Sequence, residues 1–161
     1  MTDILYVRDQ RGEFLPAGAD AVIAAAKSHM SRRVRRGTDL SNPRLVRDFL
    51  CTRLGIRDCE YFIVITLNAR LRMIDYTELC RGTIDGAAVH PREVVKLALE
   101  KGAASVILAH NHPSGVAEPS TADQLITRRL QQGLALVDIG VTDHLVVAGG
   151  EVTSFAERGL L

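Results

Sequence analysis

"SVILAHNHPSGVAEPSTAD", residues 105–123, decides how the chain is read. Its first six residues form a short apolar run that fits a buried strand. If that strand continues to His112, then His110 and His112 lie at i and i+2, and the two-residue period points both imidazoles to one side. Pro113 cannot continue an interior ladder, so the chain leaves the sheet there and "SGVAEP" carries it round in a loop. Ser120 then opens a helix whose first turn holds Asp123, thirteen residues after His110 and close enough to swing a carboxylate back over the imidazoles.

Two neutral imidazoles and one carboxylate make a three-ligand set familiar for catalytic zinc, with the fourth tetrahedral position left for water. A structural zinc would take four protein ligands, and the same nitrogen and oxygen donors also suit manganese or iron. Ser-x-x-Asp ahead of an apolar run is at the same time a helix-capping signature. Capping accounts for Ser120 and Asp123, but not for two imidazoles on one face of an apolar strand, where each needs a partner. Zinc hydrolysis further requires a base, commonly a glutamate. Spacing does not choose among the eight glutamates. Glu60, the acid at the head of "YFIVITL", is one candidate, and a solvent-facing strand start is the plainer reading of the same position.

Outward from this centre, helices and strands alternate. "DAVIAAAKSHMSRRV" places Val22, Ile23, Ala26 and Met30 at helical spacing before Gly37. "SNPRLVRDFLCTRLG" has a capping residue, Pro43 in the first turn and Gly55 at its stop, with Leu45, Val46, Phe49, Leu50 and Leu54 on one side. Residues 60–67 and 70–78 read as a hairpin about a tight turn near Asn68. "HPREVVKLALEKGAA" is a helix, "STADQLITRRLQQG" a further helix with a glycine stop, and "VTDHLVVAGGEVTSF" a pair of strands about Gly149-Gly150. The class is therefore α/β or α+β around one sheet. Residues 1–40, which begin as a weakly alternating strand or arm, form the one plausible appendage, a helical extension, and residues 41–161 form the main domain.

Composition narrows the classes. At 161 residues, 47% hydrophobic and 24% charged, the chain has the make-up of a folded soluble domain rather than a disordered one. It shows no apolar run long enough for a membrane span, and "MTDILYVRDQRGEF" does not resemble a signal peptide, so a cytoplasmic protein without membrane partners is expected. Cys51, Cys59 and Cys80 form no C-x-x-C and are expected to be buried thiols. Net charge is +1, yet nine basic residues face two acids between Lys27 and Arg57. Within that stretch Arg32, Arg33, Arg35 and Arg36 suit phosphate contacts to nucleic acid, with a solvated helix face as the alternative.

Glu60, then His110-x-His112-Pro113, six residues, Ser120, two residues and Asp123, resembles the JAMM motif of the JAB/MPN metalloprotease family. More narrowly, "EYFIVITLN", "RGTIDGAAVHPREVVKLAL", "ILAHNHPSGVAEPSTAD" and "VTDHLVVAGGEVTSFAERGLL" resemble its bacterial RadC branch over about residues 41–161. The resemblance implies a cytidine-deaminase-like α/β/α sandwich, a curved and mostly antiparallel sheet flanked by helices, with one Zn2+ held by His110, His112 and Asp123. It assigns Glu60 to activation of the zinc-bound water that attacks an amide carbonyl, and Ser120 to the charge of the tetrahedral intermediate. Asn68 replaces the aspartate usual in the family, and Val141-Thr142 stand where leucines are common. The helix-hairpin-helix module of longer RadC proteins has no counterpart signature in the preceding stretch, so its DNA association is not carried over.

A zinc metallopeptidase or isopeptidase is the leading expectation, with a polypeptide substrate. The rivals are a nucleic-acid-associated hydrolase or DNA-repair accessory, and a non-catalytic MPN scaffold, against which the intact ligand set speaks. Asp143 and His144 read as structural groups or as groups orienting the site. His90, before Pro91, reads as a surface or capping residue, and His29 as exposed. Residues 1–40 leave open the docking of a partner or of a second copy in a dimer.

Overall fold

The structure, a computed structural model, describes residues 4–81 and 89–161, except for the side chains of Cys80 and Arg81. The Cys80 thiol and most of "RGTIDGAAV" therefore lie outside the described residues. A short hairpin, β1 (Tyr6–Arg8) and β2 (Phe14–Pro16), precedes helices α1 (Ala19–Arg33) and α2 (Pro43–Leu54). There follow β3 (Tyr61–Leu67), β4 (Met73–Arg81), α3 (Pro91–Glu100), β5 (Ser105–Asn111), α4 (Thr121–Ala135), β6 (Gly140–Ala148) and β7 (Glu151–Ser154).

The main sheet runs β4-β3-β5-β6-β7. Its strands pair antiparallel except β5 with β6, which are parallel. A parallel pair needs a crossover, and α4 supplies it. Alternation along the strands then divides the core in two. Ile63, Ile65, Leu67, Ile107, Ala109, Leu145 and Val147 pack with Val46, Phe49, Leu50 and Leu54 of α2. Phe62, Val64, Val106 and Leu108 pack with Val94 and Ala98 of α3 and with Leu130 and Leu134 of α4. With helices on both faces, the central strands β3 and β5 read as near-continuous apolar runs, and the molecule is an α/β/α sandwich.

Several elements differ in detail from what the sequence suggests. The turn near Asn68 takes up residues 68–72, so β4 starts at Met73 instead of residue 70. Asn68 organises it by accepting hydrogen bonds from the Arg70 and Arg72 amides through Oδ1, at 2.9 and 3.0 Å. Helix α4 does not stop at Gly133 but runs to Ala135, because Leu134 is wholly buried beneath it and packing outweighs the glycine's poor helix propensity. Helix α1 buries only Met30 of its four expected core positions; its last turn alone reaches the core, joined there by Val34. Residues 1–40 include the β1–β2 hairpin as well as a helix, and Tyr6, Phe14 and Leu15 on that hairpin are exposed. Cys51 and Cys59 are half-buried, not buried, since each sits at an element end rather than in the core.

Two glycines make opposite tests of this packing. At Gly55, the C-cap of α2, an added Cβ would lie 2.2 Å from the Gly149 carbonyl oxygen and 2.7 Å from that of Cys51, because the helix end presses on the β6–β7 turn. Gly55→Ala should therefore destabilise the fold by about 1–3 kcal/mol. At Gly133 an added Cβ meets only Val95 Cγ2, at 3.6 Å. Gly133→Ala should stabilise it by about 0.5–1 kcal/mol, as expected for a helix interior. Urea titrations of the two variants check both signs.

Candidate metal centre

The centre forms where the carboxyl end of β5 meets the amino end of α4. His110 is the penultimate residue of β5, and the chain leaves the sheet after Asn111. His112 lies just beyond the strand, its amide still donating to the Val147 carbonyl of β6 at 2.8 Å. Helix α4 begins with Ser120 as N-cap in a full capping box: Ser120 Oγ accepts from the Asp123 amide at 3.1 Å, and the Ser120 amide donates to Asp123 Oδ2 at 2.7 Å. Capping thus fixes the carboxylate that faces the imidazoles.

The three predicted ligands are brought together. Nε2 of His110 and Nε2 of His112 are 3.0 Å apart. Asp123 Oδ1 lies 3.2 Å from the first and Oδ2 lies 3.4 Å from the second. A tetrahedral ion with ligand bonds of about 2.0–2.1 Å separates its ligand atoms by roughly 3.3–3.4 Å. The observed spacings are close to this. Among the described residues, these three form the cluster of potential ligand groups whose donor atoms all fall within 4.8 Å of one another.

Hydrogen-bond directions show what the cluster lacks. His112 Nδ1 lies 2.8 Å from the Val116 carbonyl, which can only accept, so Nδ1 carries the hydrogen and Nε2 presents a lone pair. Thr127 Oγ1 lies 2.6 Å from the Asp123 carbonyl and therefore donates its one hydrogen there. Toward His144 Nδ1, also 2.6 Å away, the same oxygen accepts, which leaves His144 Nε2 as an acceptor. His110 Nδ1, 2.9 Å from His144 Nε2, must then donate. Both ligand imidazoles consequently turn Nε2 lone pairs toward the carboxylate: three acceptors converge with no donor among them. A divalent cation is one species that satisfies such a set.

Burial opposes ionisation of Asp123; His110, whenever its ring is charged and carries a hydrogen on Nε2, and the hydrogen bonds from the Ser120 hydroxyl and amide act the other way and hold the carboxyl well below its usual range. His144 is pushed far below the ordinary histidine value by burial first, and further by the neighbouring His110 whenever that ring is charged, so it is neutral. It stacks on Phe155, with centroids 4.7 Å apart, and meets the edge of Phe62 at 5.6 Å. Phe62 in turn lies nearly parallel to His110.

The remaining candidates are placed as follows. Glu60 is half-buried, directly ahead of β3 and outside the ligand cluster. Asn111, buried between the two histidines, accepts from the Tyr61 amide and donates to the Cys59 carbonyl, each at 2.9 Å, and so pins the chain on both sides of Glu60. Extending the β3–β5 register from Phe62↔His110 sets Glu60 opposite His112. Ser120 is exposed, and its hydroxyl donates to Asp123 Oδ2 at 2.6 Å. Asp143 is structural, accepting from the His144 and Ala156 amides and from the Ser154 hydroxyl. His90 occupies the N-cap of α3 without a side-chain capping bond, and His29 is exposed. Sequence reasoning missed Thr127 and Asn111. The available signal was a polar residue in each apolar stripe, Thr127 one helical turn after Asp123 and Asn111 between the histidines.

A three-layer α/β/α domain that converges two imidazole lone pairs and a carboxylate at the end of its central strand has the form of a cation-binding domain. The chain belongs to the RadC-like JAB domain family, whose sequence model matches residues 40–160. It is 55% identical over 145 residues to a UPF0758 protein of Marinobacter nauticus, covering 90% of this chain and 65% of the relative. It is 57% identical over 141 residues to a UPF0758 protein of Cellvibrio japonicus, covering 88% and 63%. The chain thus spans just under two thirds of the length of these relatives. No helix among the described residues is long and apolar enough to cross a membrane.

The buried, neutral His144 predicts how stability depends on pH in the metal-free protein. An unfolded chain protonates this imidazole near 6.5 while the native state does not, so below that pH the unfolded state binds more protons and stability falls. A second loss sets in below 3.8, where an unfolded carboxyl takes a proton and native Asp123 does not. Thermal melts of metal-free protein across this range check it, and His144→Gln should lose less on acidification from about 7 to about 5 than the wild type does.

Proposed function

We propose that the chain is a metal-dependent hydrolase of amide bonds, a JAMM-type metallopeptidase or isopeptidase, with zinc as the favoured ion. The observation that carries this reading is the convergence of His110 Nε2, His112 Nε2 and the Asp123 carboxylate with no donor among them. Three protein ligands, rather than four, are the pattern of a catalytic rather than a structural zinc. Bound there, a divalent cation supplies Lewis acidity, lowering the pKa of a coordinated water toward about 7 and polarising a carbonyl oxygen.

The chain's own groups divide the remaining work. Glu60, set opposite His112 and braced on both sides by Asn111, accepts the proton of the attacking water and returns it to the departing amine. Ser120, exposed at the N-cap, turns its hydroxyl hydrogen from Asp123 to the carbonyl oxygen as that oxygen gains charge. His110 and His112 keep their Nδ1 hydrogens engaged with His144 and Val116, so that neither ring rotates.

A second reading draws on Arg32, Arg33, Arg35 and Arg36, all exposed at the end of α1 and just after it. They present a cationic patch to a nucleic-acid backbone, in which case the hydrolase acts in association with DNA or RNA. Binding of a duplex would then weaken steeply as salt rises. Salt-independent or absent binding removes this reading.

Metal analysis and turnover of the purified protein test the first reading. The wild type should hold one zinc per chain and cleave members of a fluorogenic peptide and isopeptide library. Glu60→Gln should retain the metal and lose roughly 10²–10⁴-fold in turnover, whereas His112→Ala should lose the metal itself. Wild-type protein without stoichiometric metal, or a fully active Glu60→Gln, overturns the assignment.

A further inference from the structure

Four buried groups join the two elements that carry the ligands. His110 Nδ1 meets His144 Nε2 at 2.9 Å, His144 Nδ1 meets Thr127 Oγ1 at 2.6 Å, and Thr127 Oγ1 meets the Asp123 carbonyl at 2.6 Å. His110 is 1% exposed, and Thr127 and His144 are both 0% exposed. The three side chains along this path are all but closed to solvent. Its sense is set at one end by chemistry: a carbonyl accepts and never donates, so each hydrogen in the series is committed in turn.

We propose that Thr127 and His144 are positioning residues for the metal centre: they hold His110 in its Nδ1–H tautomer, keeping the Nε2 lone pair on the cation side. The inference rests on the metal-site reading above but not on hydrolysis. Without the Thr127 hydroxyl, His144 has no acceptor for its Nδ1 hydrogen. The hydrogen can then sit on His144 Nε2, facing His110 Nδ1. His110 is driven to the Nε2–H tautomer, which places a hydrogen where the ion must bind. The same hydroxyl holds the carbonyl of Asp123, so one side chain coordinates the ligand on β5 with the ligand on α4. A ligand imidazole commonly has its other ring nitrogen fixed by a neighbouring group; here a second histidine and a threonine do so, rather than a carboxylate.

Nuclear magnetic resonance of the metal-free protein tests this without any substrate. With 15N-labelled histidine, above the pH range in which imidazoles charge, wild-type His110 should show a protonated Nδ1 and an unprotonated Nε2. Thr127→Val, nearly the same shape without the hydroxyl, should bring up the Nε2–H form of His110. Zn2+ affinity, measured against a chromophoric chelator, should fall by about 10–100-fold in that variant. Thr127→Ser, which restores the hydroxyl, should recover both the tautomer and the affinity. A wild-type His110 protonated at Nε2 overturns the proposal even if Thr127→Val fails to fold. So does a folded Thr127→Val with unchanged tautomer and unchanged Zn2+ affinity. A protein that binds Zn2+ as described but cleaves nothing defeats the hydrolase reading alone.

Discussion

Two histidine lone pairs and a carboxylate aimed at one point repel one another, and the rest of the molecule can be understood as the scaffold that holds them there. The arrangement is unfavourable by itself, because none of the three brings a hydrogen to share. It persists because each group is anchored from behind: His110 by His144, His112 by the Val116 carbonyl, and Asp123 by the capping box of α4. Local unfavourable electrostatics maintained by surrounding structure is the usual sign of a site prepared for a ligand.

The sheet explains why this can be done without loosening the core. Strand β5 is central, paired antiparallel with β3 and parallel with β6, so its end is fixed from both sides. The parallel pairing requires a crossover, and that crossover returns the amino end of α4 to the carboxyl end of the strand it left. The polar groups beneath the centre, His110, Asn111, Thr127 and His144, are buried, yet each has hydrogen-bond partners. A buried network of this kind adds rigidity only when complete, and this one is complete except where the two Nε2 lone pairs meet the Asp123 carboxylate.

Much of this was legible in the chain itself. The strand periodicity of "SVILAHNH", the break at Pro113 and the cap at Ser120 picked out the three potential ligands that the fold brings together, and among the described residues five of the seven strands with all four helices follow from apolar periodicity, proline and glycine. The limits of the elements were less legible where packing competed with propensity. Gly133 did not end α4, because Leu134 beyond it has a place in the core. The apolar positions of α1 did not all find a partner, because a helix can be amphipathic in sequence without a surface to meet it.

The sequence by itself determined the potential ligand residues, a mixed class of helices about one sheet and the capping of α4, because strand period, proline geometry and capping chemistry operate between residues near one another in the chain. Only the tertiary structure decided what stands behind the ligands. Thr127 and His144 are 17 residues apart, and Asn111 reaches across 50 residues to Tyr61; no local pattern records such a meeting. Which ring nitrogen carries a hydrogen is a property of these distant partners, and it emerges when the sheet and α4 close around the buried imidazoles.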